Sequence, residues 1–368
     1  MDVDSVLISE PIHVFYLTGL RAALEPRTSV ETEQNPMFLG ISKNGATFLV
    51  AARTTLANPF ITDEVIFDSN RLFDGKLWTY GDYDVDERVS PDVDFVAEEL
   101  SEVMTEMKSR EGFGLQIVGV EEKIPYGTTA RLAREFPRIK FSSISAAVRK
   151  IRLTKDEVEV RSVKEGTRRL AEVSSESAAL MIPGETEIRA LERLRKLQVE
   201  KFGQDSFLNG QILSGSRTVE VFGKATQKKL VAGERVILDL ETTVDGYHAR
   251  QVTTRIVGRE SAPEDESTGR VRKALEAGEG KLLPGNAAKE IYDAVSSKTK
   301  DVDSSKLIHE AGHGIGLQSK EEPYLIPGSN QAIAIGMVCV LTSGSYTNSA
   351  GSRLSASYVV EKSGPAKL

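Results

Sequence analysis

The sequence predicts an α+β protein of two domains: an α/β domain in residues 1–150 and, in residues 151–368, helices that cover a curved antiparallel sheet. Three observations predict this division. The chain has 368 residues, which is longer than one average domain. Short apolar stretches alternate with helical ones up to about Lys150, and the pattern changes near Ile151. Beyond that point the order helix, Pro-Gly, helix, strand occurs twice, offset by about a hundred residues.

The first domain combines short apolar segments with amphipathic helices, which predicts a mixed sheet. We predict helices in DFVAEELSEVMTEMKSR and TTARLAREF, and strands or strand flanks in VDSVLISE, HVFYLTGL, MFLGIS, ATFLVAA, LQIVGVEE and KFSSIS. His13 falls at a predicted strand edge and is expected to be structural. The polar stretch from Asp63 to Pro91 is expected to be an irregular surface excursion.

The second domain is predicted to repeat itself. Each copy begins with two helices joined at a Pro-Gly pair, and strands follow the second helix. The predicted start signals of the four helices are a capping box of Thr154 and Glu157, a cap at Thr186, a start near Thr268 and a cap at Asn286. Such a repeat implies a pseudo-twofold arrangement with any site in the cleft between the two halves.

Composition and charge exclude several classes of protein. A net charge of -7 argues against a nucleic-acid-binding surface. The single cysteine, Cys339, excludes an internal disulfide framework and fits a reducing compartment. The first residues are acidic where a secretory signal is basic, and no apolar run is long enough to span a bilayer. We therefore expect a cytoplasmic protein that binds neither nucleic acid nor membrane.

The segment from Val231 to Gly258 carries the most informative charges. Apolar and acidic residues alternate from Val236 to Glu241, which predicts a strand with its carboxylates on one face. Asp245-Gly246 is a strong hairpin signal, and a two-residue loop at that point places Glu241 opposite Arg250. The residues predicted to share one face of this hairpin are Asp239, Glu241, His248 and Arg250.

Two of the four histidines, His309 and His313, lie four residues apart in the segment HEAGHGIGLQSKEEP. On a helix this spacing could bind zinc, but the glycines between and after them disfavour a helix. Two interpretations stay open. Both histidines could be hydrogen-bonded cleft residues, or they could form a one-ion site completed by Asp239, Glu241 or His248.

Several motifs, taken in order, resemble those of one family. They are YLTGL, IRLTKDEVEVRSVKEGT, VILDLETTVDGYH with IVG after it, GHGIGL followed by EEP, GMVCVLTSGSY, and GSRLSASYVVEKSG. Over nearly its whole length the chain is similar to the creatinase, prolidase, aminopeptidase P and methionine aminopeptidase family. The resemblance implies a creatinase-like N-terminal domain, a C-terminal "pita-bread" domain, and a homodimer.

The resemblance also implies the positions of a metal centre. Active metallopeptidases of the family hold two divalent ions with two Asp, one His and two Glu side chains, and the matching positions here are Asp239, Arg250, His313, Thr342 and Ser355. Only Asp239 and His313 keep the family's residue type. A guanidinium about 4 Å from a divalent ion costs roughly 8 kcal/mol at an effective dielectric of about 20. We expect Arg250 to occupy the space of the metal and to pair with Asp239 or Glu241.

Two further family histidines, which handle substrate and protons, fall on Phe222 and Lys320, whereas His309 matches a family histidine. Metal-free creatinase chemistry is not predicted either, because its catalytic His and a Glu would fall on Phe222 and Thr342. From the residues alone, Phe222 is expected to serve packing. Lys320 is expected to belong to a solvated run of charges with Glu321 and Glu322.

The resulting prediction is a degenerate member of this peptidase family that needs no cofactor and uses a retained dimeric scaffold to bind a peptide or protein. The alternative is an Xaa-Pro dipeptidase-like or aminopeptidase-like hydrolase with at most one manganese, cobalt or zinc ion. The candidate ligand-binding residues of the cleft are Asp239, Glu241, His248, Arg250, His309 and His313.

Overall fold

The computed structural model describes residues 2–20, 36–52, 75–80, 93–203, 207–259, 266–299 and 307–368. The chain divides into two units, residues 1–150 and residues 151–368. No helix in the described part of the chain combines the length and the apolar character needed to span a membrane.

The first unit is built on a six-stranded mixed sheet with strand order β4-β3-β2-β1-β5-β6. Strand β1 pairs antiparallel with β2 and parallel with β5. The core on this sheet includes Phe48, Leu100 and Phe113. The elements are β1 (Ser5–Ile8), α1 (Pro11–Thr18), β2 (Phe38–Ser42), β3 (Thr47–Ala52), β4 (Lys76–Tyr80), α2 (Val93–Glu111), β5 (Ile117–Val120), α3 (Tyr126–Glu135), β6 (Lys140–Ser143) and α4 (Ser145–Arg152), which ends just past the division.

Two predictions for the first unit were wrong. The segment HVFYLTGL lies in helix α1, because Pro11 favours a helix start and the buried Glu121 carboxylate accepts the backbone N–H groups of Ser9 and Glu10. His13 is therefore a helix residue, and its Nδ1 contacts Glu121. Part of the predicted irregular stretch forms strand β4, parallel to β3; the rest of residues 63–91 lies outside the described residues.

The second unit contains the predicted repeat. Helices α5 and α6 precede a three-stranded sheet of order β7-β8-β9, and α7 and α8 precede a five-stranded sheet of order β11-β10-β12-β13-β14. The elements are α5 (Glu157–Leu180), α6 (Glu187–Phe202), β7 (Leu208–Ser214), a 3-10 turn (Gly215–Val219), β8 (Arg235–Val244), β9 (Tyr247–Ile256), α7 (Glu266–Glu279), α8 (Ala288–Thr299), β10 (Gly312–Gly314), β11 (Glu321–Tyr324), β12 (Val338–Tyr346), β13 (Gly351–Glu361) and β14 (Gly364–Lys367).

The helix caps differ in part from the prediction. Asp156, not Thr154, caps α5, and its partner in the capping box is Glu159. Thr186 caps α6 as predicted. Asn286 does not cap α8, because its amide donates to the Lys281 carbonyl instead. The sequence signal for the start of α5 was therefore correct to within two residues.

Side-chain hydroxyls join the two sheets where β9 lies beside β13. The Ser355 hydroxyl accepts the Val252 N–H at 2.7 Å. The Thr254 hydroxyl accepts the Arg353 N–H and donates to the Arg353 carbonyl, both at 2.9 Å. The two antiparallel hairpins, β8–β9 and β12–β13, therefore lie side by side, which confirms the predicted fold class of a pseudo-twofold antiparallel sheet covered by helices.

Candidate functional site

The β8–β9 hairpin forms with the predicted register. Asp245 and Gly246 have φ angles of 49° and 83°, the left-handed values that a two-residue type I′ loop requires. Glu241 consequently lies opposite Arg250, and Asp239 lies opposite Val252. Because side chains alternate between the two faces of a strand, this register brings the charged residues of the hairpin to one face.

The centre of the site is an ion pair between Asp239 and Arg250. Arg250 Nε donates to Asp239 Oδ1 at 2.8 Å, and Arg250 Nη2 donates to Oδ2 at 2.7 Å. The side chains of Arg250 and Asp239 are 12% and 4% exposed. This is the side-on bidentate geometry in which arginine binds a carboxylate most strongly. The expected contact of Arg250 with Asp239 is confirmed.

The same guanidinium also faces His313. Arg250 Nη1 lies 3.3 Å from His313 Nε2. The other ring nitrogen, Nδ1, lies 2.9 Å from the Gly314 carbonyl, which can only accept, so Nδ1 carries the proton and Nε2 is the acceptor for Arg250. Burial, together with the nearby Arg250 charge, lowers the pKa of His313 to about 4. The Arg250 guanidinium therefore contacts both Asp239 and His313, the two positions that keep the residue type of the family's metal ligands.

Electrostatics favours the charged form of this pair. Burial by itself would raise the pKa of Asp239, but the hydrogen bonds and the charge of Arg250 hold that pKa below its ordinary value. Burial would lower the pKa of Arg250, and Asp239 more than offsets it. Both side chains thus stay ionised through the neutral range.

Glu241 contacts His248 and Ser319 and does not take part in the ion pair of Asp239 with Arg250. Its Oε1 lies 2.5 Å from His248 Nδ1, and its Oε2 accepts the Ser319 hydroxyl at 2.6 Å. Although burial would raise the pKa of Glu241, these two hydrogen bonds hold it below its usual value. Glu241 and His248 form their own polar pair, and the structure does not bring them together with His309 and His313 as ligands for one ion.

In the second hairpin, hydroxyls occupy the two remaining ligand positions of the family. Thr342 and Ser355 are cross-strand partners on β12 and β13. Thr342 is buried and Ser355 is partly buried, and the Ser355 hydroxyl already accepts the Val252 N–H. A neutral hydroxyl supplies no negative charge to offset a divalent ion, unlike the carboxylate that the family has at each position.

Phe222 and Lys320, at the positions of two family histidines, contact each other. The Phe222 side chain is exposed, at 68%, so the expectation that it serves packing was wrong. Lys320 Nζ lies 5.3 Å from the centroid of the Phe222 ring, within the range of a cation–π contact. Lys320 Nζ also pairs with the Glu310 carboxylate.

The segment that follows is not the solvated charge run that the sequence suggested. Glu321 lies at the start of β11 and is nearly buried. Its carboxylate accepts a hydrogen bond from Arg152 at 2.6 Å and pairs with Lys155. The prediction failed because these partners lie more than a hundred residues away in the sequence.

His309 occupies a partly buried position beside Tyr346. Its Nδ1 lies 2.6 Å from the Glu310 carbonyl, and its ring meets the Tyr346 ring edge to face with centroids 5.7 Å apart. Burial lowers the pKa of His309 to about 4, and it raises the pKa of Tyr346 to about 12. Both groups are therefore neutral at physiological pH.

Sequence reasoning missed Arg353 and Tyr346 as site residues. Arg353 Nη1 donates to the Val221 carbonyl at 3.1 Å and lies 3.6 Å from Asp239 Oδ2. The signal was present, since both residues lie in the motifs GMVCVLTSGSY and GSRLSASYVVEKSG. Their chemistry depends on contacts between strands and a distant loop, which the local pattern does not show.

The fold and the site together define a two-domain protein of the pita-bread class, with its centre between two repeated hairpins. Residues 161–362 match the model of metallopeptidase family M24, and residues 1–154 match the creatinase/prolidase N-terminal domain. The chain belongs to metallopeptidase family M24.

Individual relatives are distant. An Xaa-Pro dipeptidase of Pyrococcus horikoshii is 22% identical over 257 residues, covering 69% of this chain and 73% of the relative. The uncharacterized peptidase YqhT of Bacillus subtilis is 27% identical over 269 residues, covering 71% and 75%. Among solved structures, an Xaa-Pro dipeptidase from Bacillus anthracis aligns with a TM-score of 0.79 at 20% identity, covering 99% of this chain and 92% of that chain. At this identity the structural likeness shows the fold alone.

The donor set around Asp239 does not fit the two divalent ions that the family implies. Asp239 and His313 both face the Arg250 cation, and the other positions supply hydroxyls. Within the described ranges, the one group of three ligand-type side chains close enough to share an ion is Glu10, His13 and Glu121 in the first unit. There, Glu121 Oε2 already accepts two backbone N–H groups at the start of α1.

Proposed function

We propose that this member of family M24 is a metal-independent binding protein whose cleft, between the two repeated hairpins, accepts a peptide or protein ligand. The observation that carries the proposal is the position of the Arg250 guanidinium, which covers both oxygens of Asp239 and faces His313 Nε2. A divalent ion would have to displace this pair. Breaking a buried ion pair costs about 3–5 kcal/mol, before the repulsion between the ion and the arginine is counted.

The contact between Phe222 and Lys320 supports the same function. A phenyl ring has no proton to transfer, and the Lys320 ammonium pairs with Glu310 and lies against that ring, so both positions lack the histidine that the family has there. An exposed aromatic ring beside a cation is instead suited to contact with a ligand. The two positions thus favour recognition over catalysis.

The proposal includes a homodimer in the cytoplasm, in keeping with the family resemblance. Light scattering on the purified full chain measures the oligomeric state directly. A monomer at micromolar concentration would remove the dimer from the proposal without affecting the argument about the metal.

The names of the relatives support a second candidate. Several matched proteins are called Xaa-Pro dipeptidases, and His309, His313 and Asp239 all remain in the centre. In this candidate the chain is an Xaa-Pro hydrolase with at most one ion, and Arg250 would have to move away from Asp239 for the ion to bind.

Metal analysis combined with a peptidase assay separates the two candidates. The full chain is stripped with a chelator, loaded with manganese, cobalt or zinc, freed of excess ion by gel filtration, and analysed by mass spectrometry and for turnover of Xaa-Pro dipeptides. An authentic Xaa-Pro dipeptidase treated in parallel is the positive control. We expect no stoichiometric ion and no turnover. One retained ion per chain with turnover supports the second candidate, and two retained ions with turnover reject both.

A further inference from the structure

Three side chains beside the central ion pair have buried polar atoms without a partner among the described residues. These atoms are Nε and Nη2 of Arg353, the Tyr346 hydroxyl and Nε2 of His309. Arg353 is 2% exposed and Tyr346 is 5% exposed. A buried polar group left unpaired destabilises the folded state, and such groups are rare in folded proteins. Four of them in one place call for a partner that the chain itself does not supply.

The two unpaired nitrogens of Arg353, Nε and Nη2, form the edge through which a guanidinium binds a carboxylate in a bidentate way. Arg250 binds Asp239 through the equivalent two nitrogens of its own guanidinium. The third nitrogen, Nη1, is anchored by the Val221 carbonyl at 3.1 Å. The guanidinium is therefore held in place with its bidentate edge buried and unpaired. This edge matches the spacing of the two oxygens of a carboxylate.

The other two groups lie beside that edge. Gly344 is the cross-strand partner of Arg353. A Cβ at Gly344 would lie 2.7 Å from the Tyr346 hydroxyl oxygen and 2.8 Å from His309 Nε2, so both atoms adjoin one point next to Arg353. His309 Nδ1 donates to the Glu310 carbonyl, which leaves Nε2 as an acceptor in the neutral ring.

The charge of Arg353 is not balanced locally. Among the described residues its one carboxylate neighbour is Asp239, at 3.6 Å, and both oxygens of Asp239 are already bound by Arg250. Arg250 also interacts with Glu241 and Glu310, whereas among the described residues the Nε–Nη2 edge of Arg353 has no carboxylate of its own. Because buried charges in proteins are generally paired, an anion is the ligand that this cluster favours.

We propose that Arg353, Tyr346 and His309 bind a small α-hydroxy carboxylate. The ligand carboxylate lies along the Nε–Nη2 edge of Arg353 and accepts a hydrogen bond from the Tyr346 hydroxyl. The α-hydroxyl of the ligand donates to His309 Nε2. The near-complete burial of Arg353 restricts the ligand to a small one. This proposal rests on the proposed metal-free cleft and adds to it a separate site for a small ligand.

Calorimetric titration of the full chain with glycolate and acetate tests the site. Acetate has the carboxylate without the hydroxyl, so we expect glycolate to bind more tightly by about tenfold, which corresponds to one good hydrogen bond. Arg353→Lys keeps the charge but removes the bidentate edge, and is expected to weaken both ligands by about tenfold or more. Tyr346→Phe is expected to weaken both by a smaller factor.

His309→Leu gives the sharpest readout, because it removes the acceptor for the hydroxyl and leaves the arginine in place. It is expected to abolish the preference for glycolate over acetate while acetate binding changes little. Arg193→Lys, at an exposed arginine on α6, is the matched control and should leave both affinities unchanged. Gly344→Ala fills the shared point next to Arg353 and should block both ligands without removing a charge.

Two results overturn the site: no saturable binding of either acid to a folded protein, or equal binding by the native chain and Arg353→Lys. These results are separate from the test of metal independence. A metal-free, inactive chain that binds neither acid loses this site and keeps the proposed function. A chain that retains metal and turns over peptides loses the proposed function whatever its affinity for glycolate.

Discussion

The two hairpins that meet at the centre have related backbones and different chemistry. On β8–β9, charges remain and are paired within the hairpin, as in Asp239 with Arg250. On β12–β13, hydroxyls such as Thr342 and Ser355 occupy the corresponding inner positions, and Arg353 is the charged exception. The two hairpins thus depart from the family's ligand pattern in two ways: one pairs a carboxylate with a cation, and the other has hydroxyls in place of carboxylates.

Restoring carboxylates in both hairpins is expected to have the largest effect on metal binding. The triple variant Arg250→Asp, Thr342→Glu, Ser355→Glu recreates the family's ligand types at all three changed positions. Because it removes one cation and adds three carboxylates, we expect it to bind manganese or cobalt with micromolar affinity, which is a binding free energy of about −8 kcal/mol. Calorimetry and a metal-dependent rise in melting temperature measure the gain.

The variant carrying Thr342→Glu and Ser355→Glu alone is the matched control, since it keeps the arginine in the centre. It should bind metal much more weakly than the triple variant. Equal affinity in the two variants would mean that Arg250 does not oppose the ion. No gain in the triple variant would mean that the cleft differs from the family in more than its ligand positions.

Removing one partner of the paired hairpin is expected to have the next largest effect. Arg250→Ala leaves Asp239 buried without its bidentate partner and should lower the free energy of unfolding by about 3–5 kcal/mol. Chemical denaturation of the native chain and the variant measures this loss of unfolding free energy. Arg193→Ala, which breaks an exposed pair with Glu185, should cost no more than about 1 kcal/mol. A similar cost for both variants would show that the Asp239 pair is not desolvated.

The two buried histidines predict how stability depends on pH. Burial lowers the pKa of both His309 and His313 to about 4, whereas an unfolded histidine titrates near 6.5. Between these values the unfolded chain binds more protons, so stability is fully present above about pH 6.5 and is lost as the pH falls towards 4. Each histidine contributes up to about 3 kcal/mol to this loss.

Denaturation series between pH 4 and pH 6.5 check the histidine contribution. His309→Gln should flatten the dependence of unfolding free energy on pH by about half, because one of the two shifted groups is gone. Exposed carboxylates do not titrate in the upper part of this window and serve as an internal baseline. An unchanged slope in the variant would show that His309 is not buried in its neutral form.

How much the sequence could predict depends on how local each feature is. The pairing of Glu241 with Arg250 was predictable, because a two-residue loop at Asp245-Gly246 fixes the register of every pair behind it. Helix α1 was mistaken for a strand, because a short apolar run fits both and the deciding contact, Glu121 on the backbone of Ser9, spans 112 residues.

The centre shows the same limit. Asp239 and Arg250 were expected to meet because they lie on one hairpin. The unpaired Nε and Nη2 of Arg353 were not expected. Their surroundings depend on the carbonyl of Val221, the ring of Tyr346 and the loop that carries His309. These segments come together only when both halves of the repeat have folded. Sequence patterns therefore predict the paired hairpin better than the unpaired cluster.

The smallest expected effect tests whether the hydroxyls of the second hairpin connect the two halves. Ser355→Ala removes the acceptor of the Val252 N–H and should lower the free energy of unfolding by about 1–2 kcal/mol. Ser175→Ala, on the exposed face of α5, removes a hydroxyl that serves no backbone donor and should stay within about 0.5 kcal/mol. If the two substitutions lower the free energy of unfolding by the same amount, the Ser355 hydroxyl does not stabilise the contact between β9 and β13. If Ser355 costs more, the position that holds a metal ligand in the family holds β9 against β13 in this chain.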